Sequence, residues 1–101
     1  MAVLDSVLTE ELSRLQSLAK HYHEELVHLP AGTITLKTRN GKRYAYRAYR
    51  SGSHVSTDYI GSADSEASRE AIRTAEKRKT IVTELRALAT DIARVQRMLD
   101  A

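Results

Sequence analysis

The chain has 101 residues, 42% hydrophobic and 29% charged, and a formal net charge of +3; that length supplies one small domain with a modest core, and the balance excludes wholesale disorder. Cysteine is absent, which excludes disulfides and thiolate metal sites. No apolar run approaches the ~18 residues of a membrane span and no leader pattern opens the sequence, so the expectation is a soluble cytoplasmic protein without a cofactor.

The first predicted element is a helix over 5–28. Leu8, Leu12, Leu15, Ala19, Tyr22, Leu26 and Leu29 step by four and three, a heptad seam. Asp5 or Ser6 can cap its start, and Pro30 ends it because the residue before proline is pushed out of the helical region.

The period then changes to two. Asn40-Gly41 is the strongest short-range hairpin signal, and Ser51-Gly52 reads as a second turn. Strands over 33–39, 42–50 and 53–60 form an antiparallel meander. These turns set Lys37 opposite Tyr44, Thr35 opposite Tyr46, Tyr46 opposite Thr57 and Tyr44 opposite Tyr59. One face then carries Lys37, Arg39 and the tyrosines. The other carries Ile34, Leu36, Ala45 and Ile60 and is the side that packs on helix.

The last element is a helix over 64–99, capped by Asp64 or Ser65, with the seam Ile81, Leu85, Leu88, Ile92, Val95 and Leu99. Ala71, Ile72 and Ala75 read as out of phase with that seam, which implies a stutter. The fold class is α+β: an α-β-β-β-α chain whose two long helices form an antiparallel coiled-coil-like pair, with the small sheet at one end. Two helices give a thin core, so a homodimer completing a four-helix bundle is the expected assembly, with the two Leu/Ile seams as core or dimer contacts.

Charge singles out the middle of the chain. Residues 1–32 carry Arg14 and Lys20 against Asp5, Glu10, Glu11, Glu24 and Glu25, a net −3; residues 33–61 carry six Lys/Arg against Asp58 alone, a net +5. Lys37, Arg39, Lys42 and Arg50 are candidate phosphate contacts, and Tyr44, Tyr46 and Tyr59 a candidate stacking platform, because cations displace counterions from phosphates while aromatic rings contact bases and sugars. Arg69, Arg73 and Lys77 repeat every four residues on the second helix and can extend the basic surface. Tyrosine and threonine are also ordinary strand residues, and Lys or Arg on a small sheet also discourages edge-to-edge association.

Other chemistry is poorly supported. His21 and His23 point to different sides of a helix and no His pair sits four apart on one, so a metal site is not expected. Ser51 and His54 flank a tight turn that supplies neither an orienting acid nor an oxyanion hole. The chain reads as non-enzymatic.

Residues 28–61 resemble the signature of a family of small prokaryotic and phage proteins: Leu-Pro-x-Gly-Ser/Thr, a Lys-containing strand, a Gly turn, an aromatic strand, a basic Gly turn and a closing Tyr-Ile/Leu-Gly. Leu29, Pro30, Gly32, Thr33, Lys37, Gly41, Tyr44, Tyr46, Arg50, Gly52, Tyr59, Ile60 and Gly61 carry the likeness, which implies this fold and a long charged helix after the sheet. More loosely, three basic strands followed by a helix are similar to the arm-type DNA-binding domains of tyrosine recombinases. The functional expectation is a nucleic-acid-binding protein, DNA or RNA, using the basic tyrosine sheet. The alternative is a small inhibitor, antitoxin or phage anti-defence protein that docks on a protein partner through the same sheet.

Overall fold

The computed structural model describes residues 3–101 and has the element order α1 (Val3–Val27), β1 (Thr33–Arg39), β2 (Lys42–Ser51), β3 (His54–Ser62) and α2 (Glu66–Asp100). This is the expected α-β-β-β-α arrangement, with a three-stranded antiparallel sheet in the order β1-β2-β3. The described residues fall into two compact units: a helical unit of α1 with Thr80–Ala101, and a sheet unit spanning Leu29–Lys79. α2 contributes to both.

In the helical unit the buried apolar side chains are Leu15, Ile81 and Leu88, all on the predicted seams. The remaining seam residues, among them Leu8, Leu12, Leu26, Leu85, Ile92 and Val95, are half-buried. α2 is one continuous helix, and its Ile72 and Ala75 are half-buried. Thr74 and Arg78 are half-buried and fill the heptad positions between buried Ala71 and Ile81. The repeat continues through polar residues, which a hydrophobic pattern cannot register.

The start of α2 lies at Glu66 because Ser65 is its N-cap. The Ser65 Oγ accepts a hydrogen bond from the Ser68 backbone N–H at 3.1 Å, and Arg69 N–H donates to the Ser65 carbonyl at 3.0 Å. This satisfies one of the donors that a helix start leaves orphaned. The Ser65 hydroxyl also donates to the Ser68 Oγ at 2.9 Å, and Ser68 is fully buried. Replacing Ser65→Ala removes both bonds. The expected cost is about 1 kcal/mol, seen as a fall of roughly 4–8 °C in melting temperature; an unchanged melting temperature would remove the cap from the account.

The two hairpins differ in how well their chemistry fixes them. At the first, Asn40 and Gly41 both have positive φ (51° and 77°), as a type I′ turn demands. The pairs Arg39–Lys42, Lys37–Tyr44 and Thr35–Tyr46 form as expected. At the second, the turn residues are Gly52 and Ser53, closed by Ser51 opposite His54, one position later than the sequence reading. Gly52 has φ 63° and Ser53 is not among the positive-φ residues, so the glycine must lead a type II′ turn rather than follow in it.

The shift moves the partners of Tyr46 to Arg50 by two, and beyond the irregularity Tyr44 lies opposite Ser62 rather than the expected Tyr59. Tyr46 lies opposite Tyr59, not Thr57, and Arg47 opposite Asp58. Because side chains alternate with period two, a slip of two leaves each residue on its expected face. A register break then follows: Ala45 pairs with Gly61 and Tyr44 with Ser62, leaving Ile60 as an extra residue, the signature of a β-bulge.

Ala45 is fully buried. A Cβ added at its partner Gly61 would lie 3.1 Å from the Ser65 Oγ and 3.7 Å from the Ser68 Oγ. The first turns of α2 therefore cover the Ala45 face of the sheet, and the tyrosine face lies on the other side. Leu36, expected to be covered, is 37% exposed on the edge strand β1.

Candidate functional site

The alternation of three paired strands assembles the candidate surface. Lys37 and Arg39 from β1, Lys42, Tyr44, Tyr46 and Arg50 from β2, and Tyr59 from β3 all share one face. The one acidic residue within the strands, Asp58, is opposite Arg47 on the other face. Four cations and three tyrosines thus occupy a face with no carboxylate of its own.

The rings form a cluster. Tyr59 packs edge-on against Tyr46 with centroids 5.5 Å apart, and tilted against Tyr44 at 6.3 Å. Both geometries suit the ring quadrupoles. The Lys37 Nζ sits 5.0 Å from the Tyr46 centroid, within cation–π range. Tyr44 and Tyr46 are half-buried while Tyr59 is 61% exposed. Tyr59 is thus the most exposed of the three rings, while the Lys37 ammonium lies over Tyr46 on the other flank of β2.

Val55, 66% exposed and opposite Arg50, belongs to this face, as do Thr35 and Thr57. Charge and aromatic patterning did not single them out as site residues; the same period-two alternation does.

The basic row on α2 is differently placed. Ser68, its neighbour in sequence, packs on the Ala45 side of the sheet. Arg69 donates to the Asp64 carbonyl at 2.7 Å. Arg73 donates to Glu70 at 2.6 Å and to Glu66 at 3.3 Å. The Glu70 hydrogen bond, followed by its charge and the Glu66 hydrogen bond, raises the Arg73 guanidinium above its ordinary value. Arg73 thus has two exposed carboxylate partners on its own helix. Lys77 is exposed.

His21 lies 3.1 Å from Glu25, its partner one helical turn on. Among the described residues no three metal-ligating side chains converge, and no helix is long and apolar enough to cross a membrane.

Charge follows the two units. Residues 29–79 carry eleven Lys/Arg against five Asp/Glu, a net +6, whereas the helical unit carries five against eight, a net −3.

Helix–meander–helix topology with a basic aromatic sheet face defines the class. Residues 2–70, more than half of the chain, match the family described as "Domain of unknown function (DUF6788)", and the chain belongs to that family. The matching stretch takes in the whole sheet and the capped start of α2. No curated protein and no solved structure matches the chain.

Proposed function

We propose that the chain is a nucleic-acid-binding protein that engages its ligand through the tyrosine face of the sheet. The observation that carries this reading is the composition of that face: Lys37, Arg39, Lys42 and Arg50 around three clustered tyrosines, with the strand carboxylate on the opposite side. Phosphates would meet the cations, and the Tyr59 ring offers a stacking surface that tolerates any base. The order of three basic strands followed by a helix, similar to arm-type domains of tyrosine recombinases, is in keeping with it.

Salt dependence tests the reading. Four phosphate contacts give a slope near −3.6 for log K against log salt, so affinity for a random DNA duplex should fall about 150-fold between 50 and 200 mM salt. Fluorescence anisotropy with labelled duplex, single-stranded DNA and RNA measures it. A loss below about threefold, or no binding at 50 mM, would refute a phosphate-dominated complex.

The exposure of Val55 and Tyr59 on the same face favours a second reading, a small inhibitor or antitoxin docked on a protein, since apolar and aromatic anchors dominate such interfaces. A complex of that kind would keep most of its affinity across the same salt range.

The ion pairs of Arg73 add a prediction. Its charge is balanced by Glu66 and Glu70, so Arg73→Gln should change DNA affinity by less than about threefold, the scale of one weakened surface contact. A tenfold loss would place Arg73 on the nucleic acid.

A further inference from the structure

The sheet ends on two unlike edges. β1 has only β2 beside it, keeps an unbroken register over Thr33–Arg39, and is exposed at every position except Ile34. The other edge, β3, is interrupted by the bulge at Ile60 and carries Asp58, features that blunt a strand edge against pairing. β1 has no bulge, no proline and no carboxylate.

The first turn fixes which groups the β1 edge offers. In a two-residue hairpin the residues flanking the turn exchange both backbone hydrogen bonds, and bonding alternates from there. Arg39, Lys37 and Thr35 therefore bond to β2, whereas Thr38, Leu36 and Ile34 aim their N–H and C=O groups away from it. The far rim of β2 agrees: Arg43, the partner of Thr38, turns its carbonyl the other way and accepts the Ala63 N–H at 3.0 Å. Among the described residues no backbone group from outside the sheet bonds to β1. The side chains along this edge are sorted by charge. Lys37 and Arg39 stand on the tyrosine face, and neither has an ion-pair partner among the described residues. Ile34 and the 37% exposed Leu36 stand on the opposite face.

We infer that the free edge of β1 takes an acidic, extended segment of a partner protein as a fourth strand. Main-chain bonds to Ile34, Leu36 and Thr38 hold such a segment, as in strand addition generally. Cross-strand neighbours share a face, so its carboxylates come beside Lys37 and Arg39 and its apolar side chains beside Ile34 and Leu36. A second copy of β1 fits less well, because it brings two more cations to the same edge and like charges on neighbouring strands repel. Nucleic acid can use the cations but cannot continue a backbone ladder. The edge is thus distinct from the ring surface, although both employ Lys37 and Arg39.

The probe is a labelled, end-capped peptide of alternating glutamate and valine, long enough to span the seven residues of β1, titrated into the full chain by fluorescence anisotropy. A counterpart with lysine in place of glutamate should bind about tenfold more weakly, or worse. An added strand bonds along one of its own edges only. Methylating two amides of one alternate set should therefore weaken binding roughly 30-fold, and two of the other set less than about threefold. Leu36→Pro should abolish binding and keep the fold, since the lost N–H points outward and proline is accepted on such an edge. Were Leu36→Pro to lose its far-UV signal, the methylated peptides provide the same reading on the unaltered chain. No binding by up to ~1 mM acidic peptide, equal binding of the lysine peptide, or indifference to methylation of both sets would each overturn the inference. So would a folded Leu36→Pro chain that binds undiminished. None of these outcomes depends on whether the tyrosine face binds nucleic acid.

Discussion

Changing Lys37 and Arg39 together to Glu is expected to reduce DNA affinity by more than about 100-fold at 0.1 M salt. Losing two phosphate contacts removes counterion release worth roughly 60-fold at that concentration, and the two reversed charges add repulsion to the loss. Both residues are exposed on the edge strand, and the Lys37–Tyr46 contact is the one interaction described for them. An exposed cation–π contact contributes about 0.5–1 kcal/mol, so the melting temperature should move by only a few degrees. Anisotropy titration paired with thermal denaturation makes the comparison. Undiminished binding by a folded double variant would clear β1 of any role in recognition.

Gly32→Ala should act through the fold instead. Gly32 has φ 110°, a region that side chains rarely enter. A Cβ there would collide with the Ala48 carbonyl oxygen and lie 3.1 Å from the Tyr49 Cβ. Neither neighbour can yield easily, because Ala48 is in the middle of the central strand and pairs with Thr33 and Thr57. Backbone strain of this kind costs about 1–3 kcal/mol alone, and the clash brings the expected loss to about 3 kcal/mol or more. For a chain of this size that is a fall of roughly 12–24 °C. Gly41→Ala makes the contrast: an added Cβ there has nothing within 4 Å, which leaves only the positive-φ cost. Equal melting temperatures for the two variants would contradict the close approach at Gly32.

The first hairpin was legible in the sequence because Asn-Gly accepts one turn type and fixes the partners on both sides. The second was not, because in Ser51-Gly52-Ser53 the glycine can serve as either central residue, and only the closed sheet selects the first. The two choices differ by two positions in register, so the face composition survived while the ring neighbours changed. Tyr59 sits across from Tyr46 and touches Tyr44 on the diagonal, which makes a cluster of three. The bulge at Ile60 leaves no mark in alternation and was hidden. So was the heptad phase of α2 through Thr74 and Arg78, since a hydrophobic pattern cannot count polar residues that are covered only in part. The ion pairs of Arg73 were readable from the i−3 and i−7 glutamates, but an arginine repeat draws attention to charge before it draws attention to partners.

The Asn40–Gly41 turn also gives the tyrosine face of the sheet a chemical clock. Gly41 places no side chain over its own amide nitrogen, so that nitrogen can attack the Asn40 side-chain carbonyl, expel ammonia and form a succinimide. Water then opens the ring to aspartate or its isomer. Each molecule that ages in this way gains a negative charge between Arg39 and Lys42, at the margin of a surface whose strands otherwise present only cations and neutral groups. In the isomer it also gains an extra backbone carbon in a turn that must stay tight. Stored preparations would then drift toward lower net charge and weaker polyanion retention together.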